Sequence, residues 1–346
     1  MIASPNTDRS PARPRMEWMD ALRGLSIILV ATGHALASSF HDTGVVPPPA
    51  VEFFLSITGP LRMPLMVFLS GMLVPRALTK GAQRFVAGKV KAVLWPYFVW
   101  SLIFILLLYL MTAAGGSGFG WGLFGRIFYS PIEHLWFLAY LFIYFILALL
   151  MRSLPAYVPV LLAAAASVVA FGSAWQEFTT LALFFSLGVS SAVYTNAWTK
   201  MIQSPLVLGT TTAVAASALV ALAILPGVAS YQPQYSLVVL LGIVSVCAIA
   251  SRFDLPGGCR ALKSIGRDSL TFYIVHMPVL LIFTTVARQA VPGYPLAVLV
   301  LSLVVSLVVS AIVCRMRKFT LIDGLFVLRL RKRSSKGREA RVPAVV

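Results

Sequence analysis

Apolar residues fill most of the chain in long stretches that short polar connectors interrupt. A transmembrane helix needs about 20 consecutive apolar residues, and about ten stretches approach that length. We therefore predict an all-α fold, a polytopic transmembrane helix bundle of about ten spanning helices. The predicted spans are residues 18–40, 52–74, 93–114, 134–151, 156–173, 178–195, 205–225, 235–250, 268–287 and 295–314.

The composition excludes a water-soluble globular domain. Of the 346 residues, 59% are hydrophobic and 11% are charged, whereas soluble domains are typically about one quarter charged. The formal charge of +17 could indicate nucleic-acid binding. The basic residues lie between apolar stretches, however, so we predict no nucleic-acid partner. The three cysteines (Cys247, Cys259 and Cys314) lack a paired or metal-like spacing, and neither a disulfide framework nor a metal site is predicted.

Counts of lysine and arginine predict the orientation of the bundle, because cytoplasmic loops of membrane proteins are rich in both residues. If the N-terminus is cytoplasmic, 24 of the 28 basic residues fall in cytoplasmic segments. Arg126 and Arg288 then fall in outside loops, and Arg23 and Arg62 fall within spans. Both termini are therefore predicted to be cytoplasmic.

This topology divides the chain into three parts. They are a cytoplasmic N-terminal tail at 1–17, a transmembrane domain at 18–314 and a basic cytoplasmic tail at 315–346. We expect the basic tail to contact anionic membrane lipids. Residues 35–37 (Ala-Leu-Ala) resemble a signal-peptidase site, but Asp20 and Arg23 interrupt the apolar segment before them. We therefore expect the first span to be retained.

Charged residues inside spans are functional candidates, because such a side chain at the centre of a helix costs about 3 kcal/mol on insertion scales. Arg23 and His34 lie eleven residues apart in the first span. This spacing puts them on one helix face, about 16 Å apart along the axis. The structural alternative is an arginine that reaches lipid phosphates and a histidine that bonds a neighbouring helix.

Two further segments place polar residues at a depth comparable with that of His34. Arg62 lies in the outer half of the second span, two residues before Pro64. A kinked helix with Arg62 at the membrane interface explains this pattern as well as a functional role does. Glu133 and His134 open the fourth span and form an acid–base pair by type. Adjacent helical residues diverge by about 100°, so we expect only one of them to face the interior.

The ninth predicted span carries a polar stripe. Ser269, Tyr273 and His276 share one flank of the helix by their spacing of four and three residues. A packed polar stripe between helices explains this spacing more simply than catalysis does.

The loop after the second span holds a basic cluster of Arg76, Lys80, Arg84, Lys89 and Lys91. These residues are typical of positive-inside anchors. As a functional alternative, a cytoplasmic basic cluster can hold a polyanion such as a nucleotide phosphate.

Four segments, in order, resemble the motifs of the acyltransferase family 3 membrane O-acyltransferases. They are residues 20–25 (Asp-Ala-Leu-Arg-Gly-Leu) with His34; 62–65 (Arg-Met-Pro-Leu) leading to 68–71 (Phe-Leu-Ser-Gly); 135–138 (Leu-Trp-Phe-Leu); and 265–270 through Tyr273, His276 and Pro278. The resemblance covers about residues 16–314. It matches the family's first-helix arginine and histidine to Arg23 and His34. The family commonly has an Arg-x-x-Arg in the loop after its second helix, where this chain offers only Arg84, Lys89 and Lys91.

The resemblance implies acyl transfer, usually of acetyl, from acetyl-coenzyme A to a carbohydrate hydroxyl in the plasma (inner) membrane. The family's acceptors are exopolysaccharide, lipopolysaccharide or lipid-linked sugar units. We expect the candidate catalytic residues to be His34, Arg62, Glu133 and His276. We expect the donor-binding residues to be Arg23, Arg84, Lys89 and Lys91.

The expected mechanism combines the resemblance with the charge pattern. The anionic donor enters from the cytoplasm and meets the basic cluster, and its acyl-bearing arm extends toward His34. Neutral His34 takes the hydroxyl proton as a general base, and Arg62 stabilises the developing oxyanion. An acyl-His34 relay is an open variant.

A secondary transporter, for example an exporter of a polysaccharide unit, is the alternative from another functional class. Intramembrane Arg, His and Glu residues also suit a proton-coupled carrier. Many transporters contain inverted repeats with paired broken helices, and the sequence shows no such pairing.

Overall fold

The computed structural model describes residues 16–40, 45–114, 120–224, 231–252, 259–291 and 293–329. Within these ranges the chain forms α-helices and no strand, so the predicted all-α class is confirmed. The helices are α1 (Glu17–Ser39), α2 (Pro49–Met72), α3 (Val74–Leu78), α4 (Ala82–Lys89), α5 (Trp95–Ala114), α6 (Gly122–Tyr129), α7 (Trp136–Leu150), α8 (Tyr157–Val169), α9 (Gln176–Val193), α10 (Thr195–Gln203), α11 (Pro205–Ile224), α12 (Ser236–Arg252), α13 (Arg260–Arg267), α14 (Ser269–Ala290), α15 (Pro295–Met316) and α16 (Thr320–Gly324).

Three short turns of tighter or wider geometry join some of these helices. A π-helical turn at Val90–Leu94 connects α4 to α5. Two 3₁₀ turns, Glu133–Leu135 and Pro233–Tyr235, lead into α7 and α12. π-Helical turns often occur at functional sites, and the one here follows directly after Lys89.

The number of long apolar helices in the described residues is close to the predicted number of about ten. In the described part of the chain, eight helical stretches are long and apolar enough to cross a membrane. The pair α9 and α10, bent by 99° between them, gives a ninth if it counts as one span. All ten predicted spans are helical, but α8 has only 13 residues, which is short of the length needed to cross the hydrocarbon core. The polytopic membrane bundle is confirmed, with eight or nine long apolar helices.

Helix α1 lies at the centre of the bundle. It packs against α2, α12, α14 and α15 along its length and against α13 near its start. This central position explains why α1 carries polar residues, since their side chains face neighbouring helices instead of lipid.

Glycines allow two of the closest helix contacts. A Cβ atom at Gly71 of α2 would overlap the backbone carbonyl of Phe185 in α9. A Cβ atom at Gly188 of α9 would overlap the carbonyl of Phe68 in α2. Small residues at such crossings let two backbones approach closely, which strengthens van der Waals packing where no hydrophobic effect acts between helices.

A C-terminal segment, residues 319–329, folds back against the end of the bundle where α1 begins and α14 begins. Asp323 of this segment accepts hydrogen bonds from Arg317 at 3.0 Å and from Arg329 at 2.8 Å. Phe326 is fully buried, with its ring centre 5.3 Å from that of Trp100. Burial raises the pKa of Asp323, but the hydrogen bonds and charges of the two arginines outweigh it, so the pKa lies below its ordinary value.

We call this end of the bundle the basic end, because Arg23, Lys89, Lys263 and Arg317 lie there. Lys263 of α13 pairs with Glu17 of α1 at 2.5 Å. Most of the two predicted cytoplasmic tails lies outside the described residues, which begin at 16 and end at 329. The cytoplasmic location of the basic end and the domain boundaries remain predictions.

Candidate active site

Three histidines from distant parts of the chain meet inside the bundle. His34 comes from α1, His134 from the 3₁₀ turn before α7, and His276 from α14. The ring centre of His276 lies 5.5 Å from that of His34 and 5.3 Å from that of His134. His134 and His276 are buried, and His34 is half-buried. We call these three residues the histidine cluster.

Backbone carbonyls orient two of the three rings. His276 Nδ1 lies 3.2 Å from the carbonyl oxygen of Phe272, and His134 Nε2 lies 3.2 Å from that of Ile274. A carbonyl can only accept, so these nitrogens carry the protons of the neutral rings. The other nitrogens, Nε2 of His276 and Nδ1 of His134, have no hydrogen-bond partner among the described residues. Each therefore presents a free lone pair at the cluster.

Tyr273 of α14 contacts the turn that carries His134. Its hydroxyl donates a hydrogen bond to the backbone carbonyl of His134, and its ring centre lies 5.5 Å from that of His134. Ser306 of α15 donates to the carbonyl of His276 at 3.2 Å. These contacts fix the two buried histidines through residues of α14 and α15.

Arg62 lies beside His34, as the predicted depths of the two residues indicated. Its guanidinium packs on Gly33, where a Cβ atom would overlap Nη1. Arg62 Nη1 also donates to the carbonyl of Leu29 at 3.4 Å. The absence of a side chain at Gly33 thus lets a cation approach the helix backbone next to the histidine cluster.

Arg23 and Lys89 line one cavity of about 150 Å³. Lys89 Nζ lies 3.5 Å from the ring centre of Phe145, a cation–π contact. Arg23 Nη2 lies 3.5 Å from Ser70 Oγ. Tyr273 also lines this cavity, so the cavity extends from the two cations to a residue that contacts the histidine cluster. We call it the donor cavity.

The other two basic residues expected on the donor side lie elsewhere. Arg84 is exposed on α4, and Lys91 is half-buried in the π-helical turn. Neither lines the donor cavity. The carbonyl of Lys91 accepts a hydrogen bond from the backbone of Leu328, so Lys91 belongs to the contact with the C-terminal segment. The structure therefore brings together only Arg23 and Lys89 of the four expected donor-binding residues.

Only one of the two adjacent residues Glu133 and His134 faces the interior, as predicted. His134 is 3% exposed and belongs to the cluster, whereas Glu133 is exposed and has a left-handed backbone with φ of 45°. The structure does not bring Glu133 to the histidine cluster. His134 lies in the cluster instead. A catalytic role of Glu133 stays a prediction that this geometry does not support.

Two further polar residues near the site were not identified from the sequence. Glu177 begins α9, and Tyr231 precedes α12; both are half-buried. The backbone carbonyl of Tyr231 accepts hydrogen bonds from Gln176 Nε2 at 3.2 Å and from Thr180 Oγ1 at 3.1 Å. A carboxylate at the edge of an apolar span was a signal that could have identified Glu177. Tyr231 lies in a connector whose pattern gave no such signal.

The described residues contain no group of three or more His, Cys, Asp or Glu side chains that could hold a metal ion. A larger cavity, of about 640 Å³, lies between α7, α8 and α9. Its wall is mostly apolar and includes none of the three histidines. The larger cavity is therefore separate from the histidine cluster.

Comparison with known proteins adds one finding. Residues 16–315 match the family model of the acyltransferase domain, acyltransferase 3. No curated protein and no solved structure matches the chain. The matched range begins just before α1 and ends within the last turn of α15, so it contains the histidine cluster and the donor cavity.

Proposed function

The chain belongs to acyltransferase family 3 and is a membrane acyltransferase, and we propose that it moves an acetyl group from cytoplasmic acetyl-coenzyme A to a hydroxyl of an extracytoplasmic carbohydrate. The observation that carries this proposal is the continuity of the site. Arg23, Lys89 and Tyr273 line the same donor cavity, and the ring of Tyr273 lies 5.7 Å, centre to centre, from that of His276 in the histidine cluster. Family membership favours the enzyme over the secondary transporter.

The donor cavity suits the narrow, thiol-bearing arm of coenzyme A. A cavity that encloses a whole drug-sized ligand is typically about 300–1,000 Å³, and this one measures about 150 Å³. The nucleotide therefore stays at the basic end, where Arg23 and Lys89 provide positive charge for its phosphates. Cations in a partly buried site hold phosphate groups with little screening by salt.

The histidine cluster supplies the base for acyl transfer. The acceptor oxygen attacks the thioester carbonyl carbon while His34 takes the hydroxyl proton. Negative charge then develops on the thioester carbonyl oxygen, and the guanidinium of Arg62, held at Gly33, stabilises it. The carbon–sulfur bond breaks, and the coenzyme A thiolate leaves and recovers the proton from His34.

His276 acts as a positioning residue in this proposal. Its Nδ1–H is held by Phe272, so its Nε2 lone pair is the acceptor that faces the cluster. His34 lies against it and can donate its own ring N–H to that lone pair. Such a contact fixes the tautomer and orientation of a catalytic base, as the third member of a triad does.

The purified protein in lipid nanodiscs, incubated with [¹⁴C]acetyl-coenzyme A and surface carbohydrate extracted from cells that lack the gene, tests the proposal. We expect radiolabel to appear in the carbohydrate as an alkali-labile ester, with one coenzyme A released per ester formed. Mass spectrometry of surface glycans from cells with and without the gene should show an acetyl-sized difference. Release of coenzyme A without label in any carbohydrate would contradict the proposed acceptor.

A further inference from the structure

The π-helical turn at Val90–Leu94 forms part of the wall of the donor cavity. Lys89 directly precedes this turn and Val93 lies within it, and both residues line the cavity. The place of the Lys89 ammonium group therefore depends on the geometry of the turn. Since π-helical turns frequently occur at functional sites, the contacts that hold this one bear on the donor cavity.

The backbone of the turn leaves one carbonyl without its usual helical donor. The N–H of Trp95 donates to the carbonyl of Val90, five residues earlier. The next donor in the same pattern would be residue 96, which is a proline and has no N–H. The carbonyl of Lys91 therefore receives a hydrogen bond neither from Trp95 nor from Pro96. Because backbone carbonyls inside proteins are nearly always paired, its donor must come from another part of the chain.

The C-terminal segment supplies that donor. The backbone N–H of Leu328 donates to the carbonyl of Lys91 at 3.1 Å. A second hydrogen bond runs in the other direction, from Trp95 Nε1 to the carbonyl of Gly324 at 2.7 Å. The C-terminal segment thus bonds both the π-helical turn and the first residue of α5.

The C-terminal segment is also tied to the start of α14, which forms another wall of the donor cavity. Ser269 and Leu270 line the cavity, and the hydroxyl of the next residue, Thr271, accepts a hydrogen bond from Arg317 Nη1 at 2.9 Å. Arg317 Nε donates to Asp323 of the segment at 3.0 Å. Two walls of the donor cavity are therefore held by one short stretch of chain.

Asp323 also fixes the end of the segment that reaches the π-helical turn. Its carboxylate accepts a hydrogen bond from Arg329 Nε at 2.8 Å, and Arg329 follows Leu328 directly. The match to the family model ends at residue 315, before the C-terminal segment begins. Membership of the family therefore does not imply these contacts.

We propose that the C-terminal segment holds Lys89 in place for the acyl donor, with Asp323 and Leu328 as positioning residues. This inference rests on the proposed function and adds a support to its donor half. A long side chain that is ordered before the ligand arrives loses less conformational freedom on binding. By bonding the carbonyl of Lys91, the segment keeps the π-helical turn rigid, and the phosphates of acetyl-coenzyme A meet a cation that is already in position.

The sign of the effect separates positioning from simple charge. Asp323→Asn removes a negative charge from the basic end. By charge alone, this change would strengthen the attraction for the anionic donor and lower its Kd. By release of the segment, it raises the Kd. Glu17→Gln is the matched control, because Glu17 lies at the same end and pairs with Lys263 of α13.

Leu328 offers a second test that leaves every charge in place. Leu328→Pro removes the N–H that bonds the carbonyl of Lys91. Leu328→Ala shortens the side chain and keeps that N–H. A difference between these two variants therefore reports the backbone hydrogen bond and not the apolar packing of the leucine.

Isothermal titration calorimetry with acetyl-coenzyme A and the full-length protein in lipid nanodiscs measures the donor Kd without any acceptor. For Asp323→Asn and Leu328→Pro we expect the Kd to rise about three- to tenfold, the cost of ordering one long side chain on binding. Leu328→Ala should stay within twofold of the wild type, and Glu17→Gln should leave the Kd unchanged or lower it. In parallel assays of transfer, kcat of all four variants should stay within twofold.

A double variant shows whether the segment acts through Lys89. Residues that act through one another have effects on binding that do not add. Asp323→Asn should therefore cause no further rise in the Kd when Lys89→Ala is already present. An equal rise in the presence and absence of Lys89→Ala would overturn the inference, because the segment would then act independently of that side chain.

The remaining outcomes separate the inference from the function on which it rests. No binding of acetyl-coenzyme A by the wild-type protein overturns the proposed function. Binding by the wild type, with Kd values for Asp323→Asn and Leu328→Pro at or below the wild-type value, overturns the positioning role alone. Thermal unfolding of each variant shows whether it is folded. If Leu328→Pro unfolds, Trp95→Phe takes its place, since it removes the donor to the carbonyl of Gly324.

Discussion

The imidazole of His34 lies 5.5 Å, ring centre to ring centre, from that of His276, although the two come from α1 and α14. Both helices carry a histidine toward the same point because they pack side by side in the bundle. His276 keeps its Nδ1 on a backbone carbonyl, so its other nitrogen remains available to His34. This pair, with Arg62 at Gly33, is the part of the site that we expect to govern the rate.

His34→Ala tests the assignment of the base. Loss of a general base lowers a rate by about 10²–10⁴-fold, and the apolar helix should still insert. We expect that loss in the transfer rate, with donor affinity unchanged. Thr32→Ala, which removes a half-buried polar side chain two residues away, serves as the control and should keep most activity. A wild-type rate in correctly inserted His34→Ala would disprove the assignment, whereas an equal loss in His276→Ala would not show which of the two histidines is the base.

Gly33→Ala tests the position of Arg62. The added methyl group overlaps the guanidinium, so Arg62 must shift from its position on Gly33. Loss of one transition-state donor costs about 10²–10³-fold in rate, and we expect kcat to fall toward that range while KM for acetyl-coenzyme A changes little. Gly209→Ala is the matched control, because nothing lies within 4 Å of a Cβ atom at that helical glycine. Equal activity of the two variants would show that Arg62 has no role in the rate.

Lys89 and Arg84 should differ in their response to salt. Lys89 lines the donor cavity, and Arg84 is exposed. Exposed charges are screened at an ionic strength of about 0.1 M or more, and partly buried ones much less. We expect Lys89→Ala to raise KM for acetyl-coenzyme A at both low and high salt, and Arg84→Ala to raise it only at low salt. Identical salt profiles for the two variants would contradict the assignment of the donor cavity.

Asp323→Asn should release the C-terminal segment. The carboxylate accepts hydrogen bonds from Arg317 and Arg329, and such charged bonds contribute roughly 1.5–3 kcal/mol each. We expect faster hydrogen exchange at residues 319–329, with the helices of the bundle unaffected. Protection equal to that of the wild type would show that packing of Phe326 alone holds the segment.

The same carboxylate predicts a pH dependence. Its pKa is lowered in the folded protein, so the unfolded form binds the proton more readily. The stabilisation is therefore complete above the ordinary pKa of 3.8 and is lost as the pH falls below it. The protection of residues 319–329 against hydrogen exchange, corrected for the intrinsic exchange rate, should fall below about pH 4 in the wild type. Asp323→Asn should lack this step, and a step that persists in the variant must have another source.

Reporter fusions test the orientation of the bundle. The distribution of 24 of 28 basic residues predicts that fusions after Arg84, Lys263 and Lys332 report the cytoplasm. Fusions near Thr43 and Gly118 should report the outside; both residues lie outside the described ranges. Reversed signals at both Lys263 and Lys332, with the other fusions as expected, would place a miscounted span between α7 and α12, where α8 is short and α9 bends into α10. If the fusions after Arg84, Lys263 and Lys332 all report the outside, the orientation of the bundle is the reverse of the predicted one.

The sequence by itself determined the class of the protein and most of its helices. Uninterrupted apolar stretches leave no other backbone solution in a membrane, because only helices satisfy their own hydrogen bonds there. The span count was less certain because length alone does not distinguish a crossing helix from a short or bent one. The 13 residues of α8 and the 99° bend after α9 depend on packing against neighbours.

Single-helix reasoning also predicted His34 and Arg23 on one face of α1, since 3.6 residues per turn fix relative direction within a helix. Which residues of other helices meet that face depends on helix rotation and crossing, which no local pattern encodes. Only the tertiary structure decided that His134, and not Glu133, turns inward, and that Lys89, and not Arg84, joins Arg23. It also placed Tyr231 against Gln176 and Thr180 of α9, because contacts between distant helices depend on how all the surfaces of the bundle pack together.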